Sequence, residues 1–171
     1  MNMKLSAHVI TMLLAAASVA SYAAEPEKPP VYTRIDLIQK AEPTVLLVRV
    51  EKPNNYAVWL KFNYRETPDE NSRIYELLGG ARKNDLGKWE EPGVPATFRV
   101  SINKHGNLQP ILQEEVQAVH TNAGYKARWA ALVSARLEPG DYQVSVGIAS
   151  AIAQLRPITT EVVFAPAHHG K

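Results

Sequence analysis

Histidines are the first residues in this chain that could bind a metal ion or exchange a proton near neutral pH. After the first 23 residues the chain contains His105 and His120, and the adjacent His168 and His169 near its end. None of these has the spacing of a helical metal-binding pair. Because the 171 residues include no cysteine, thiolate ligands and disulfides are also excluded. We therefore expect no metal site and no cofactor.

Paired carboxylates and activated hydroxyls are the next groups that could do chemistry. Glu90 and Glu91, like Glu114 and Glu115, are sequence neighbours, so their side chains diverge on a strand and on a helix alike. Neither pair is expected to flank a scissile bond, and no Gly-x-Ser-x-Gly motif occurs. The sequence therefore predicts a protein that is not an enzyme. An enzyme of another type would need a cleft that gathers Asp85, Glu90 and a histidine.

A basic cluster lies beside a tryptophan in a loop rich in glycine and proline. It consists of Arg82, Lys83 and Lys88, followed by Trp89. The segment is not a phosphate-binding loop, because Arg82 replaces the first glycine and Trp89 replaces the metal-binding hydroxyl. The charges either complement the end of a helix or contact an anionic or acidic protein surface. These four residues are the predicted contact site for a ligand or partner.

Trp59 lies in the strongly alternating segment NYAVWLKFNYRE, residues 55–66. Every second residue from Tyr56 to Tyr64 is apolar or aromatic and is predicted to face a core, which places Trp59 beside Lys61 on the opposite face. Three explanations remain open for this outward tryptophan. A helix that follows the strand covers it, it forms an exposed carbohydrate-binding platform, or a bulge inverts the faces locally.

The elements that must position these residues are mostly strands. Period-2 alternation predicts them at residues 31–38, 44–52, 55–66, 96–106, 127–137, 142–148 and 158–166. The alanines of residues 127–137 would also suit a helix, but the alternation favours a strand. Residues 44–52 and 55–66 are expected to pair as a hairpin. Helices are predicted at residues 69–78 and 109–120, where apolar residues recur at helical spacing.

These elements predict a mainly β, antiparallel, immunoglobulin-like β-sandwich of about seven strands with two short helical insertions. The segment LEPGDYQVSV resembles the corner that joins the two sheets in fibronectin type III-like and related immunoglobulin-like domains. The resemblance implies that the Tyr142 hydroxyl bonds to the backbone across the corner. It also implies that Leu137 fills the core beneath it while Pro139 and Gly140 turn the chain.

With YAVWLKFNY, LLGG and IAQLRPITTEVVF, the chain also resembles a bacterial domain-of-unknown-function family of small exported immunoglobulin-like proteins, many of them lipoproteins. This resemblance implies a fold and a compartment but no activity. The chain differs from the lipoprotein members because it lacks the cysteine that carries the lipid. We therefore expect no membrane anchor.

The first 23 residues have the order of a signal peptide. Lys4 is followed by an uncharged run up to Glu25, and Ser21 and Ala23 suit the −3 and −1 positions of a cleavage before Ala24. A cut one residue later is the alternative. We expect a signal peptide at 1–23, an extended linker at 24–31, the sandwich at 32–166 and a flexible tail at 167–171. The protein is then periplasmic, or secreted as the alternative.

The charge balance restricts the partner. Removing 23 of 171 residues leaves 148, and losing Lys4 leaves 18 basic against 17 acidic residues, which argues against nucleic acid. No later segment reaches the ~20 apolar residues that a spanning helix needs. The expected function is binding of another exported or envelope protein, as a toxin-neutralising immunity protein would do. The alternative is an envelope-glycan-binding module that uses Trp59, Trp89 or Trp129.

Overall fold

Alternating apolar residues build nine β-strands in the part of the chain that the computed structural model describes. That part comprises residues 24–38, 42–64, 67–69, 74, 77–78, 85–86, 96–107, 109–118, 121–124, 126–150, 152–156 and 158–167. The strands are β1 (Val31–Ile35), β2 (Thr44–Val50), β3 (Asn54–Asn63), β4 (Thr97–Lys104), β5 (Pro110–Gln117), β6 (Thr121–Gly124), β7 (Ala127–Leu137), β8 (Gly140–Ile148) and β9 (Thr159–Pro166). A short 3₁₀ helix, Ala153–Leu155, precedes β9.

The strands form two sheets. One has five strands in the order β1-β9-β3-β7-β6, and the other has four in the order β2-β8-β4-β5. Every pair of neighbouring strands is antiparallel. The buried side chains of both sheets belong to one hydrophobic cluster, as expected for a β-sandwich.

The core lies between the inner faces of the two sheets. Its fully buried members include Leu60 and Phe62 of β3, Ile102 of β4, Val144 of β8 and Phe164 of β9. Each such side chain contributes roughly 1.5–3 kcal/mol through its burial. The rings of Tyr56 and Phe164 stack with centroids 5.3 Å apart. The inner face of β3 is therefore the one that the sequence predicted.

Two predictions about the strands are wrong, one on their number and one on their pairing. The described part of the chain has nine strands rather than about seven, because β5 and β6 were not expected as strands. Residues 44–52 and 55–66 do not pair as a hairpin, since β2 pairs with β8 whereas β3 pairs with β7 and β9. Alternation identifies a strand and its buried face, but it carries no information about the partner strand. The short connection between β2 and β3 passes from one sheet to the other.

The predicted second helix is also wrong, because Pro110–Gln117 is the edge strand β5. Leu112 and Val116 are four residues apart, a spacing that fits both a helix and one face of a strand. In the structure these two pack partly buried against the core, while Ile111, Gln113 and Glu115 are exposed. Pairing with β4 decides the conformation. The strand predicted at 127–137 is confirmed as β7.

Most of the predicted first helix lies outside the described residues. Of its apolar residues, Ile74 and Leu78 are buried in the core cluster, and Leu77 packs against it. Across the described residues, no helix has the length and apolar character that crossing a membrane requires.

The segment before β1 is attached to the four-stranded sheet. The Glu27 amide donates to the Leu47 carbonyl at 2.9 Å, and the Arg49 amide donates to the Glu27 carbonyl at 2.7 Å. These two bonds form a parallel bridge between Glu27 and Val48 of β2. Lys28 forms an ion pair with Glu51. The segment predicted as an extended linker is therefore joined to one sheet just before it enters the other.

Candidate functional site

The outer face of the five-stranded sheet carries two adjacent rows of chemically distinctive side chains. The first row crosses four strands as Arg34, Glu161, Lys61 and Trp129, and the second crosses the same strands as Tyr32, Val163, Trp59 and Ala131. Side chains directly opposite each other on one face of a sheet interact. The register therefore brings together residues from both ends of the sequence.

Lys61 is the centre of this arrangement. Its Nζ lies 2.9 Å from Glu161 Oε2, 5.4 Å from the centroid of the Tyr32 ring and 5.7 Å from the centroid of the Trp129 ring. Asn63 donates from Nδ2 to the same Glu161 oxygen at 2.8 Å. We call Tyr32, Lys61, Asn63, Trp129 and Glu161 the outer-face cluster. A cation held between two aromatic rings and a carboxylate is stabilised by each of them.

The neighbours of Glu161 favour its charged form. Partial burial raises the pKa of Glu161, but hydrogen bonds from Asn63 and Lys61 and the Lys61 charge together hold this pKa below its usual value. The side chains of Lys61 and Glu161 are 24% and 27% exposed, so the pair is partly shielded from water. Tyr32 is 42% exposed and forms the most open part of the cluster.

Trp59 lies beside the cluster on the outer face, half-buried. Val163 lies opposite it on one side and exposed Ala131 on the other. A register shift relative to β7 occurs between Val58 and Trp59, but Val58 and Leu60 are both buried, so the predicted faces of β3 are not inverted. The indole Nε1 is buried without a hydrogen-bond acceptor in the described part of the chain. The residues of the predicted covering helix that would decide between cover and platform lie mostly outside that part.

The predicted contact residues Arg82, Lys83, Lys88 and Trp89 lie outside the described residues, so their role stays a prediction. His120, His168 and His169 also lie outside them. His105 is described and exposed, at the tip of the turn after β4. Within the described ranges no group of three or more histidine, aspartate or glutamate side chains could hold a metal ion.

The candidate carboxylates do not meet in a site among the described residues. Glu114 and Glu115 are both exposed on the edge strand β5, and Glu115 accepts from Arg99 at 3.1 Å. Asp85 is exposed, and Glu90 and Glu91 lie outside the described residues.

The predicted structural corner lies where β7 of one sheet leads into β8 of the other. The Tyr142 hydroxyl donates to the Glu138 carbonyl at 2.6 Å, and both Leu137 and Tyr142 are buried. Burial raises the pKa of Tyr142. Gly140 has φ +155°, a conformation that side-chain-bearing residues rarely adopt, directly after Pro139.

A second tyrosine makes the same contact at another connection between the sheets. The Tyr56 hydroxyl donates to the Lys52 carbonyl at 3.1 Å, between β2 and β3. This contact was not predicted from the sequence, although KPNNY and EPGDY share a proline three residues before the tyrosine. That repeated spacing is the signal that could have identified both crossings.

Residues 33–166 match the family model described as a domain of unknown function, DUF5625. The chain belongs to this family. No protein with a curated description matches this DUF5625 chain. A crystal structure from Sulfurospirillum deleyianum is similar in fold, with a TM-score of 0.65 and 15% identity, covering 81% of this chain and 98% of its own. The pre-peptidase C-terminal domain of a collagenase from Bacillus anthracis has a TM-score of 0.34 at 12% identity, covering 82% and 95%. The first likeness establishes a shared two-sheet fold and nothing about activity.

Proposed function

We propose that this protein is an exported, non-catalytic domain that binds another protein through the outer-face cluster. The observation that carries the proposal is the Lys61–Glu161 ion pair held between Tyr32 and Trp129 in the middle of a sheet face. Tyrosine and tryptophan are enriched at the centres of protein interfaces, where they supply large contact areas with few rotatable bonds.

The position of Lys61 favours a protein over a glycan. A sugar that binds by stacking needs a ring face that is open to it. One face of the Tyr32 ring and one face of the Trp129 ring are turned to the Lys61 ammonium instead. A protein partner can pack against ring edges and the aliphatic part of Lys61, so it does not need those faces.

The charges of the cluster indicate the chemistry of the partner surface. Lys61 and Glu161 neutralise each other, and a partner that buried the pair would gain little from bringing a further charge. We expect the partner to place uncharged, apolar side chains over Tyr32 and Trp129, with polar groups only at the rim.

The leading sequence supports export, since residues 1–23 have the order of a signal peptide. The partner is then another periplasmic or envelope protein, with a secreted location as the alternative. A toxin that this domain neutralises fits the description. The Tyr142 corner supports an immunoglobulin-like variant of the two-sheet fold.

The test is site-specific cross-linking in cells that produce the full chain. A photo-reactive amino acid replaces Ala131, which is exposed beside Trp59, and in a matched control it replaces Gln143, which is exposed on the other sheet. We expect one discrete protein adduct from position 131 and none from position 143. Tyr32→Ala should abolish the adduct while lowering the free energy of unfolding by only about 1 kcal/mol, the size of its cation–π contact with Lys61.

Adducts that are absent at position 131, or equal at both positions, would overturn the proposal. Titration of tryptophan fluorescence with cell-wall fragments then tests the glycan alternative, for which a saturable shift is the positive result. Fractionation of the same cells tests export, which predicts a periplasmic chain that begins at Ala24 or Glu25.

A further inference from the structure

We infer that the protein has a second binding site, a pocket that takes a small amphipathic anion with a carboxylate on an apolar body. The pocket lies where β1 ends and β9 begins, and its volume is about 390 Å³. Pockets for small ligands begin at roughly 300 Å³. Its lining includes Arg34, Asp36, Leu37, Leu155, Arg156 and Thr160. The inference is independent of the proposed protein-binding function.

The ion pairing of the arginines in the described part of the chain indicates that this pocket binds an anion. Three of them form ion pairs, which are Arg49–Asp141, Arg99–Glu115 and Arg136–Glu138. Arg128 is buried inside the sandwich and has contacts of its own. Arg34 and Arg156 have no carboxylate partner among the described residues, and both line the same pocket. Guanidinium groups bind carboxylates through two parallel hydrogen bonds, so two arginines at one pocket suit an anion.

The carboxylates near the pocket do not neutralise its two arginines. Glu161 lies directly opposite Arg34, yet its Oε2 accepts from Lys61 and Asn63. Asp36 accepts the Ile38 amide on Oδ1 at 2.9 Å, which fixes it in the turn after β1. One aspartate against two arginines leaves the described lining with a net positive charge.

The pocket also has apolar lining residues that the backbone holds in place. Leu37, Leu155 and Ile158 line it and are themselves buried. The Ile152 amide donates to the Leu37 carbonyl at 2.8 Å, and the Ile158 amide donates to the Leu155 carbonyl at 2.9 Å. A lining that combines buried apolar side chains with two arginines matches an acyl or aryl carboxylate better than an inorganic anion.

Octanoate is the probe, titrated into the processed full chain and followed by calorimetry and amide chemical shifts. We expect saturable binding, with weaker binding of acetate, which lacks the apolar body, and of octanol, which lacks the charge. Arg34→Gln with Arg156→Gln should weaken octanoate binding about tenfold or more, since each loses a charge-assisted hydrogen bond. Arg136→Gln, an exposed arginine away from the pocket, is the matched control and should bind as the natural chain does.

Several outcomes would overturn the inference. These are no saturation by octanoate, equal octanoate affinity in the double variant, or octanol binding as tightly as octanoate. The last outcome would identify an apolar pocket without anion recognition. If the double variant fails to fold, each single variant is measured instead, and unchanged affinity in both contradicts the inference. None of these results depends on Ala131 cross-linking, so the two proposals fail separately.

Discussion

Lys61 is a charged residue on β3, the central strand of the five-stranded sheet, where water reaches it only partly. Its ammonium is stabilised by Glu161 at 2.9 Å and by the two neighbouring rings. Cross-strand opposite charges contribute roughly 0.2–1 kcal/mol, and each exposed cation–π contact contributes roughly 0.5–1 kcal/mol. Together these contacts hold Lys61 in place on the partly shielded face of the sheet.

The Glu161 carboxylate gives the first prediction, the pH dependence of folding. Its pKa is lowered in the folded protein, so its contribution to stability is present above the unfolded value of about 4.3 and is lost as pH falls through the lowered folded value. We expect Glu161→Gln to reduce the free energy of unfolding by about 0.5–1 kcal/mol at pH 7. The difference from the natural protein should shrink as the pH falls below about 4.3.

Urea unfolding of both proteins at pH 7, 5 and 3 measures this difference. Comparing the two proteins at each pH removes the contributions of the other titrating carboxylates, such as Asp141, whose pKa is also lowered. A difference that stays constant across the series would contradict the assignment of the effect to Glu161.

The outer-face cluster could be predicted only in part from the sequence. Alternation placed Trp59 and Lys61 on the outer face, and the structure confirms it. Glu161 lies 100 residues further along the chain, and its contact with Lys61 depends on the register between β3 and β9. No local pattern contains that register, so the ion pair could not be found. The positions of Tyr32 and Trp129 in the cluster could not be predicted either, because they also depend on the register between strands.

Two of the connections that pass between the sheets are alike at the level of elements. β2 leads into β3 and β7 leads into β8, and in each case a tyrosine hydroxyl bonds to the carbonyl four residues earlier. The proline between them restricts the backbone, so the hydroxyl finds its acceptor at a small loss of entropy. The pair of contacts fixes two of the places where the chain passes from one sheet to the other.

This likeness predicts equal effects of Tyr56→Phe and Tyr142→Phe. Each substitution keeps the ring but removes a partly buried hydrogen bond, so each should lower the free energy of unfolding by about 1–2 kcal/mol. Tyr32→Phe is the matched control, because Tyr32 is 42% exposed. This substitution should change the free energy of unfolding by less than about 0.5 kcal/mol. Guanidinium unfolding measures all three. A loss at only one corner would show that the two connections are not equivalent.

Strand identity was easier to predict than strand pairing. The turn residues after β2 fit a hairpin as well as a crossing, and only the tyrosine that follows distinguishes the two. In β5 the spacing of Leu112 and Val116 fits two periods, and pairing with β4 decided between them. Pro110 and the exposed Glu114 and Glu115 also suit an edge strand, because they discourage pairing with another chain.

At the scale of the whole molecule, the segment before β1 connects the two sheets. Glu27 bridges to β2 in the four-stranded sheet, and four residues later Val31 begins β1 in the five-stranded sheet. Its composition, rich in proline and charge, predicted an extended segment but not this attachment. Backbone groups make the contact, so the side-chain pattern does not contain it.

The attachment predicts a difference between two substitutions at one position. Glu27→Pro removes the amide that donates to Leu47, and should lower the free energy of unfolding by about 1 kcal/mol. Glu27→Ala keeps both backbone bonds and should change it by less than about 0.5 kcal/mol. Thermal and urea unfolding of the two variants check this. Equal effects would mean that the side chain, rather than the backbone bridge, makes the contact.

The pairing of β1 with β9 also has a mechanical consequence. These strands are antiparallel, and Val31, where β1 begins, lies beside Phe164, near the end of β9. The chain therefore enters β1 and leaves β9 at the same end of this strand pair. A pulling force applied to both ends would break the hydrogen bonds between β1 and β9 one after another, instead of loading all of them together. The pair should therefore separate at a lower force in this direction than when the same two strands are pulled along their length in shear.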